Sequence, residues 1–314
     1  MLKCVLLGRT GLEVSRLSVG TVELGMNYGI RVPGEFGSPP APQAIRLVRA
    51  AVRAGINLFD TAPVYGVSET ILGKALVGEQ SCYVATKVSF PRDDWTACGA
   101  SGREQDIMNS LQRSLRKLQR EVLDIVQIHN ATRATFENGV LPRTVQLAKE
   151  QGLVGFVGAS VYSEDDALAA IGSEIVDVLQ IPFSILDQRP VAKVLPAAKA
   201  ANVGIIGRSV LLKGALTPKA LHLLADLVPL REAADRVRRA FDVSWEELPR
   251  TAIRYCLGVP GLHTLLLGIR TEAELDDALA AVEEGPLPEA DMASTQGLGL
   301  DDERLLNPSH WERQ

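Results

Sequence analysis

Short apolar runs alternate with longer stretches of helical spacing along almost the whole of this chain. The run Arg16-Leu-Ser-Val-Gly20-Thr21 reads as a core strand, and a loop rich in Gly and Pro follows at 24–41. Residues 42–54 place Ile45, Val48, Ala51 and Val52 on one helical face, with Gly55 as the stop. From there strand and helix repeat. Strand 57–60 precedes helix 68–77, and strand 83–88 precedes helix 103–118, whose stripe is Ile107, Leu111, Leu115 and Leu118. Strands 123–128, 154–159 and 176–181 precede helices 139–151, 164–171 and 190–201. Strand 203–207 leads through a long connection, 211–244, to helix 245–257. Strand 263–268 precedes helix 272–283, and a tail continues over 284–314.

That makes eight strand–helix units. The strands are apolar on both faces, as buried parallel strands are. Strict alternation admits a doubly wound sheet or a closed barrel, and eight units favour the (β/α)8 TIM barrel. Residues 3–15 form a hairpin turning at Gly8-Arg-Thr-Gly11. The chain is predicted to be a single domain over 1–314, with long loops at the C-terminal face of the barrel.

Composition narrows the function classes. The chain has 314 residues, 46% hydrophobic and 23% charged, with a net charge of -5. No basic block suggests nucleic acid, and no apolar run approaches the ~18 residues of a membrane span. Met1-Leu-Lys3-Cys-Val-Leu-Leu is too short for a secretory signal. Cys4, Cys82, Cys98 and Cys256 show no CxxC spacing, so the expectation is reduced thiols in the cytoplasm and no metal site.

In a barrel of this kind, chemistry sits at the C-terminal ends of the strands. Those ends carry Gly20-Thr21, Asp60, Lys87, His129, Ser160, Gln180, Arg208-Ser209 and Gly268-Ile-Arg270. After Asp60, Thr61-Ala-Pro63 forces a turn that brings Tyr65 onto the loop above it. Each residue alone is ordinary: a strand-end lysine usually snorkels, a lone histidine usually packs, and a lone glutamine usually spaces hydrogen bonds. Their placement at one end of consecutive strands is what points to a site. Lys87, held by Asp60, would set a positive charge beside the Tyr65 phenol, and His129 can donate to a carbonyl oxygen from the other side. Such a pocket protonates a developing alkoxide. It holds no nucleophile, so a cofactor must bring the hydride.

In order along the chain, these motifs resemble the aldo-keto reductase superfamily over nearly the whole length. The resemblance rests on Asp60, Tyr65, Lys87 and His129, on Phe-Asp-Thr-Ala-Pro-Val-Tyr-Gly, on Gly-Ala-Ser160, on Gln180, and on Gly268-Ile-Arg-Thr-Glu-Ala-Glu-Leu-Asp-Asp. It implies a barrel plugged by an N-terminal hairpin, binding NADP(H), or in some members NAD(H), without a Rossmann fold. By the resemblance, Tyr65 is the general acid, Lys87 and Asp60 tune it, and His129 orients the substrate. Gly20, Thr21 and Asp60 also border the cofactor. Ser160 and Gln180 match the holders of the nicotinamide carboxamide, and Arg208 falls where many members stack an aromatic ring. Ser209, Leu211 and Gly214 match the pyrophosphate loop, and Gly268, Arg270 and Asp277 the adenosine end.

The chain departs from the family pattern at Val161, where an Asn is common, and at Arg208. Glu274 and Ala278 stand where NADP-specific members often carry Arg and Asn. Family habit and Arg270 favour NADP(H), with NAD(H) open. The substrate implied is a small carbonyl compound, and the Arg-Ser-Val-Leu-Leu context resembles members found with sugar and polysaccharide enzymes. Tyr28, Trp95, Asn130 and Trp311 are candidate pocket walls, on or near the loops at 24–41, 91–102 and 211–244 and the tail. The rival expectations are a non-catalytic nucleotide-binding subunit of the same fold, like potassium-channel auxiliary subunits, and an unrelated phosphate-binding barrel.

Overall fold

In the computed structural model, which describes residues 2–34, 36–89 and 100–311, eight parallel strands close into a barrel. A two-stranded antiparallel hairpin, β1 (Cys4–Leu6) and β2 (Glu13–Ser15), precedes it. The barrel strands are β3 (Leu17–Gly20), β4 (Leu58–Asp60), β5 (Tyr83–Val88), β6 (Leu123–Ile128), β7 (Val154–Ser160), β8 (Val178–Pro182), β9 (Gly204–Arg208) and β10 (Thr264–Gly268). Each pairs with the next in chain order, and β10 returns to β3.

Side chains alternate along a strand, so every second residue faces the interior. Leu58, Ala85, Ile125, Val178, Ile206 and Leu266 form one apolar layer inside the barrel, and Leu7 and Val14 of the hairpin close it from below. Two residues further along those six strands stand Asp60, Lys87, Gln127, Gln180, Arg208 and Gly268. The polar floor of the site is thus the next pleat above the apolar layer. The hairpin is fixed by Arg9, whose Nε meets Asp177 Oδ1 at 3.1 Å and whose Nη2 donates to the Val176 carbonyl at 2.6 Å. Gly204 permits that approach, since a Cβ there would lie 2.7 Å from Leu7 Cγ.

Three of the differences from the sequence expectation trace to particular residues. The helix Ala41–Arg53 buries Ala44, Leu47, Val48 and Ala51, while Ile45 and Val52 stay at its margin. Apolar residues at 44, 45, 47, 48, 51 and 52 offer two overlapping stripes, and the barrel takes the one spaced 44, 47, 48, 51. The helix expected over 190–201 is split into a 3-10 turn, Arg189–Val191, and a helix, Val194–Ala200. Pro196 tolerates only the first turn of a helix, where its missing N–H is not needed. The connection 211–244 holds a full helix, Val228–Ala240, with Pro229 in its first turn and Leu230, Ala233, Ala234 and Val237 buried. Among the described residues no helix is long and apolar enough to cross a membrane.

Candidate active site

Asp60 ends β4 and is 3% exposed; Lys87, near the end of β5, is 2% exposed. The register sets Asp60 opposite Ala85, so Lys87 lies one pleat further along the same face. Lys87 Nζ pairs with Asp60 Oδ2 and donates to the Thr61 carbonyl at 2.9 Å. The other carboxylate oxygen, Oδ1, accepts from Gln127 Nε2 and from Gln180 Nε2, each at 2.8 Å. Charges buried this deeply are tolerable only when paired and hydrogen-bonded, and Asp60 has three donors. Burial alone would pull the Lys87 ammonium down, but Asp60 and Tyr65 outweigh it and hold it above the usual lysine range.

Tyr65 follows on the turn that Pro63 helps to set, and its N–H donates to the Ala62 carbonyl at 3.0 Å. The Lys87 ammonium lies 4.9 Å from the centroid of its ring. His129 follows β6 and donates its backbone N–H to the Val88 carbonyl at 2.9 Å. Its ring meets the Tyr65 ring edge-on at 5.9 Å and 89°. Burial, then the nearby charges of Lys87 and Arg208, push the imidazole down to about 3, so it is neutral at physiological pH.

The structure therefore brings together the four residues expected to do the chemistry. It also adds Gln127, which the sequence reading missed. The Gln127 side chain is buried beside Asp60, and its Oε1 has no hydrogen-bond partner. The available signal was alternation: Ile125 faces inward, so Gln127 and His129 follow it on the same face.

Ser160 Oγ and Gln180 Oε1 are 3.5 Å apart, so the expected carboxamide pair touches the Asp60 cluster through Gln180. Thr21 is fully buried, and its hydroxyl donates to the Asp60 carbonyl at 2.8 Å and contacts Ser68 Oγ. It supports the floor from behind, beside Gly20. Arg208 lies with its guanidinium 4.1 Å over the Tyr162 ring, a partner not foreseen from the sequence. Its Nη2 donates to the Val161 carbonyl at 3.0 Å and its Nη1 to Ser209 Oγ at 3.1 Å.

Beyond Arg208 the chain turns sharply. Ser209, Leu212, Lys213 and Gly214 all have positive φ, at 60°, 45°, 57° and 103°. The turn is closed by its own backbone: the Leu212 N–H donates to the Ser209 carbonyl at 2.8 Å and the Gly214 N–H to the Leu211 carbonyl at 2.9 Å. The Lys213 ammonium, held below the usual range by burial, lies 5.4 Å from the Tyr28 ring and 5.2 Å from the Trp311 ring. A hydroxyl and an amide at Ser160 and Gln180, followed along the rim by the cations of Arg208 and Lys213, suit the carboxamide and the phosphates of a nicotinamide dinucleotide. Leu211 is part of this turn. Asn130 is exposed, at φ 52° just past His129, while Trp95 and the segment 91–99 lie outside the described residues.

At the end of β10, Arg270 donates its backbone N–H to Glu274 Oε2 at 2.7 Å and its Nη1 to the Gly37 carbonyl at 3.4 Å. Asp277 is exposed on the helix that follows. Glu23, on the short helix Val22–Gly25 after β3, faces this group and was also missed. Burial and then the charge of Glu274 push its carboxyl up to about 7, against the pull of Lys219 and Arg270.

A sequence model of the aldo/keto reductase family matches residues 16–299. L-galactose dehydrogenase of Arabidopsis thaliana is 27% identical over 318 aligned residues, spanning 95% of this chain and 91% of that protein. The oxidoreductase YrpG of Bacillus subtilis is 29% identical, spanning 88% of this chain and 90% of its own length. Aldo-keto reductase AKR11C1 of Bacillus halodurans, in its holo form, has a TM-score of 0.78 and covers 99% of this chain, with all of its own chain matched. At 23% identity that likeness speaks to the fold alone.

Proposed function

The chain belongs to the aldo-keto reductase family, and from that premise we propose that it reduces a sugar-like aldehyde or ketone to the alcohol. Membership implies NAD(P)H-dependent carbonyl oxidoreduction; the substrate class and the residue roles are our reading. The observation that carries it is the Lys87 ammonium, fixed by Asp60 and aimed at the Tyr65 ring. A nicotinamide dinucleotide, when bound, supplies the hydride.

The protein's own residues handle the proton. Tyr65 gives its hydroxyl proton to the substrate oxygen as negative charge develops there. Lys87 stabilises the phenolate left behind, and Asp60 keeps Lys87 charged and aimed. Neutral His129 donates a hydrogen bond to the same oxygen and sets the carbonyl's orientation. Ser160 and Gln180 would hold the carboxamide, and Arg208 would border the nicotinamide. Ser209, Leu211 and Gly214 cradle the diphosphate. Gly20, Thr21, Gly268, Arg270 and Asp277 border the remaining length of the cofactor.

A sugar-like substrate is supported by the name of the Arabidopsis relative, a dehydrogenase of L-galactose. An acidic chain whose cysteines Cys82 and Cys256 are free and buried suits a cytoplasmic setting. The test is consumption of NADH or NADPH with a panel of aldoses and simple aldehydes. Turnover with hydroxylated substrates, lost in Tyr65→Phe, is the expected result. Tight cofactor binding with no turnover across the panel would favour a nucleotide-binding subunit instead.

A further inference from the structure

Tyr65 stands on a turn that is tied off at both ends. Thr61, just past β4, and Ser68, which opens the helix Ser68–Ala75, are both fully buried, and their hydroxyls lie 2.8 Å apart. Ser68 also donates its backbone N–H to the Tyr65 carbonyl at 3.0 Å. The Ser68 hydroxyl meets Thr21 Oγ1 as well, and the Thr21 hydroxyl donates to the Asp60 carbonyl at 2.8 Å.

A hydroxyl has one proton to give. Thr21 gives its proton to the Asp60 carbonyl, so it must accept from Ser68, and Ser68 in turn must accept from Thr61. The bonds therefore run one way, from Thr61 through Ser68 and Thr21 to the Asp60 carbonyl. Buried hydrogen bonds in such a series polarise and strengthen one another.

The same two residues, Asp60 and Thr61, also hold Lys87. Its Nζ pairs with Asp60 Oδ2 and donates to the Thr61 carbonyl at 2.9 Å. Two of the three N–H groups of the ammonium are thereby directed. The third is left for Tyr65, whose ring centroid lies 4.9 Å away. Where the Thr61 carbonyl stands thus decides how the ammonium is aimed. The turn is backed closely too. The Val67 N–H donates to the Gly25 carbonyl at 3.3 Å, and a Cβ on Gly25 would lie 2.0 Å from the Tyr65 carbonyl oxygen.

On the reading above that Tyr65 is the proton donor, we propose that Ser68 is a positioning residue for the reaction. Through Thr61 and Thr21 its hydroxyl fixes the Tyr65 turn and the Lys87 ammonium relative to each other.

The test compares Ser68→Ala, Thr61→Val and Thr61→Ser with the wild type, using glyceraldehyde and the other carbonyl compounds of the panel above at saturating nucleotide. Thr61→Val keeps the shape and removes the hydroxyl; Thr61→Ser keeps the hydroxyl and removes the methyl. In Ser68→Ala and Thr61→Val kcat should fall about tenfold, the worth of one hydrogen bond, while Thr61→Ser stays near the wild type. KM should hold, and the solvent deuterium isotope effect on kcat should rise, because a misplaced donor slows proton transfer relative to the other steps. Loss of folded protein would lower kcat without moving the isotope effect, so the two roles separate even where the thermal midpoint drops. An unchanged isotope effect in Ser68→Ala and Thr61→Val overturns the proposal and leaves the hydroxyl series as a structural brace. A Thr61→Ser variant as impaired as Thr61→Val overturns it as well. If the wild type reduces none of the carbonyl compounds, the functional reading fails first, and the positioning role with it.

Discussion

Asp60 and Glu23 are carboxylates at the exits of neighbouring strands, and their surroundings are opposite. Asp60 receives one ammonium and two amide donors, which between them engage both of its oxygens. Glu23 meets another carboxylate, Glu274, and shares Lys219 and Arg270 with it. Glu23 is pushed up by burial first and by Glu274 second. A buried carboxylate surrounded by donors aims its neighbours. One that faces a like charge becomes a group that titrates near neutrality. The same barrel rim thus holds a rigid electrostatic device at one end of the proposed cofactor path and a pH-responsive one at the other.

Breaking the first environment should have the largest effect. Lys87→Met leaves Asp60 buried without its cation and removes the charge beside Tyr65. Turnover should fall by at least the ~10²–10⁴-fold typical of lost general acid catalysis. The melting temperature should also drop, because an uncompensated buried charge costs several kcal/mol. Tyr65→Phe separates the two consequences. It should match the loss in turnover while keeping cofactor affinity and melting temperature, since Asp60 and Lys87 remain paired. Full activity in Tyr65→Phe would end the proposed mechanism.

Gln127 tests whether Asp60 needs all its donors. Gln127→Leu removes one amide from Oδ1, and kcat should fall roughly tenfold, the worth of a hydrogen bond to a charged group. Stability should hold, because the same change removes the unpartnered Oε1 from the barrel interior. A large drop in melting temperature with unchanged kcat would make Gln127 a packing residue instead.

The barrel and the strand-end residues were legible because both follow local periodicity. Strand and helix repeats fix the topology, and the ends of consecutive strands share one face. Gln127 escaped because it lies one pleat inside β6, within an apolar run that reads as core. The helix Val228–Ala240 escaped because it adds no strand, although its apolar spacing is regular. Glu23 escaped for a different reason. Its character comes from Lys219, Arg270 and Glu274, far along the chain, and no local pattern encodes a charge balance assembled by closure of β10 onto β3.

Glu23→Gln sharpens the comparison through pH. The folded carboxyl titrates at about 7, above the ordinary 4.5. The unfolded chain therefore releases this proton first, so stability declines as pH rises from 4.5 to about 7 and stays lower above it. Replacing the carboxyl by an amide should leave stability at pH 4.5 nearly unchanged and raise it at pH 8 by about 1–2 kcal/mol, discounted for partial solvent contact. Denaturant unfolding of wild type and variant at the two pH values measures this, and an equal effect at both would show that Glu23 is ionised throughout.

The smallest expected effect concerns Arg208, on the Asp60 side of the rim. Its guanidinium is held by the Tyr162 ring, the Val161 carbonyl and Ser209 Oγ, so its charge is fixed in place. The Lys87 ammonium, buried beside Asp60 and Tyr65, adds a second fixed cation to the same pocket. A positive pocket should favour the neutral, reduced nicotinamide over the cationic, oxidised one, and so bias the protein towards carbonyl reduction. Arg208→Tyr keeps a flat surface and removes the charge. The ratio of dissociation constants for oxidised and reduced cofactor should then shrink by about 1 kcal/mol, the scale of a partly solvated charge at close range. Affinity for the reduced form alone need not fall. Paired fluorescence and calorimetric titrations on both proteins give the ratio. An unchanged ratio would place Arg208 away from the nicotinamide, with its charge directed at an anionic group of the substrate.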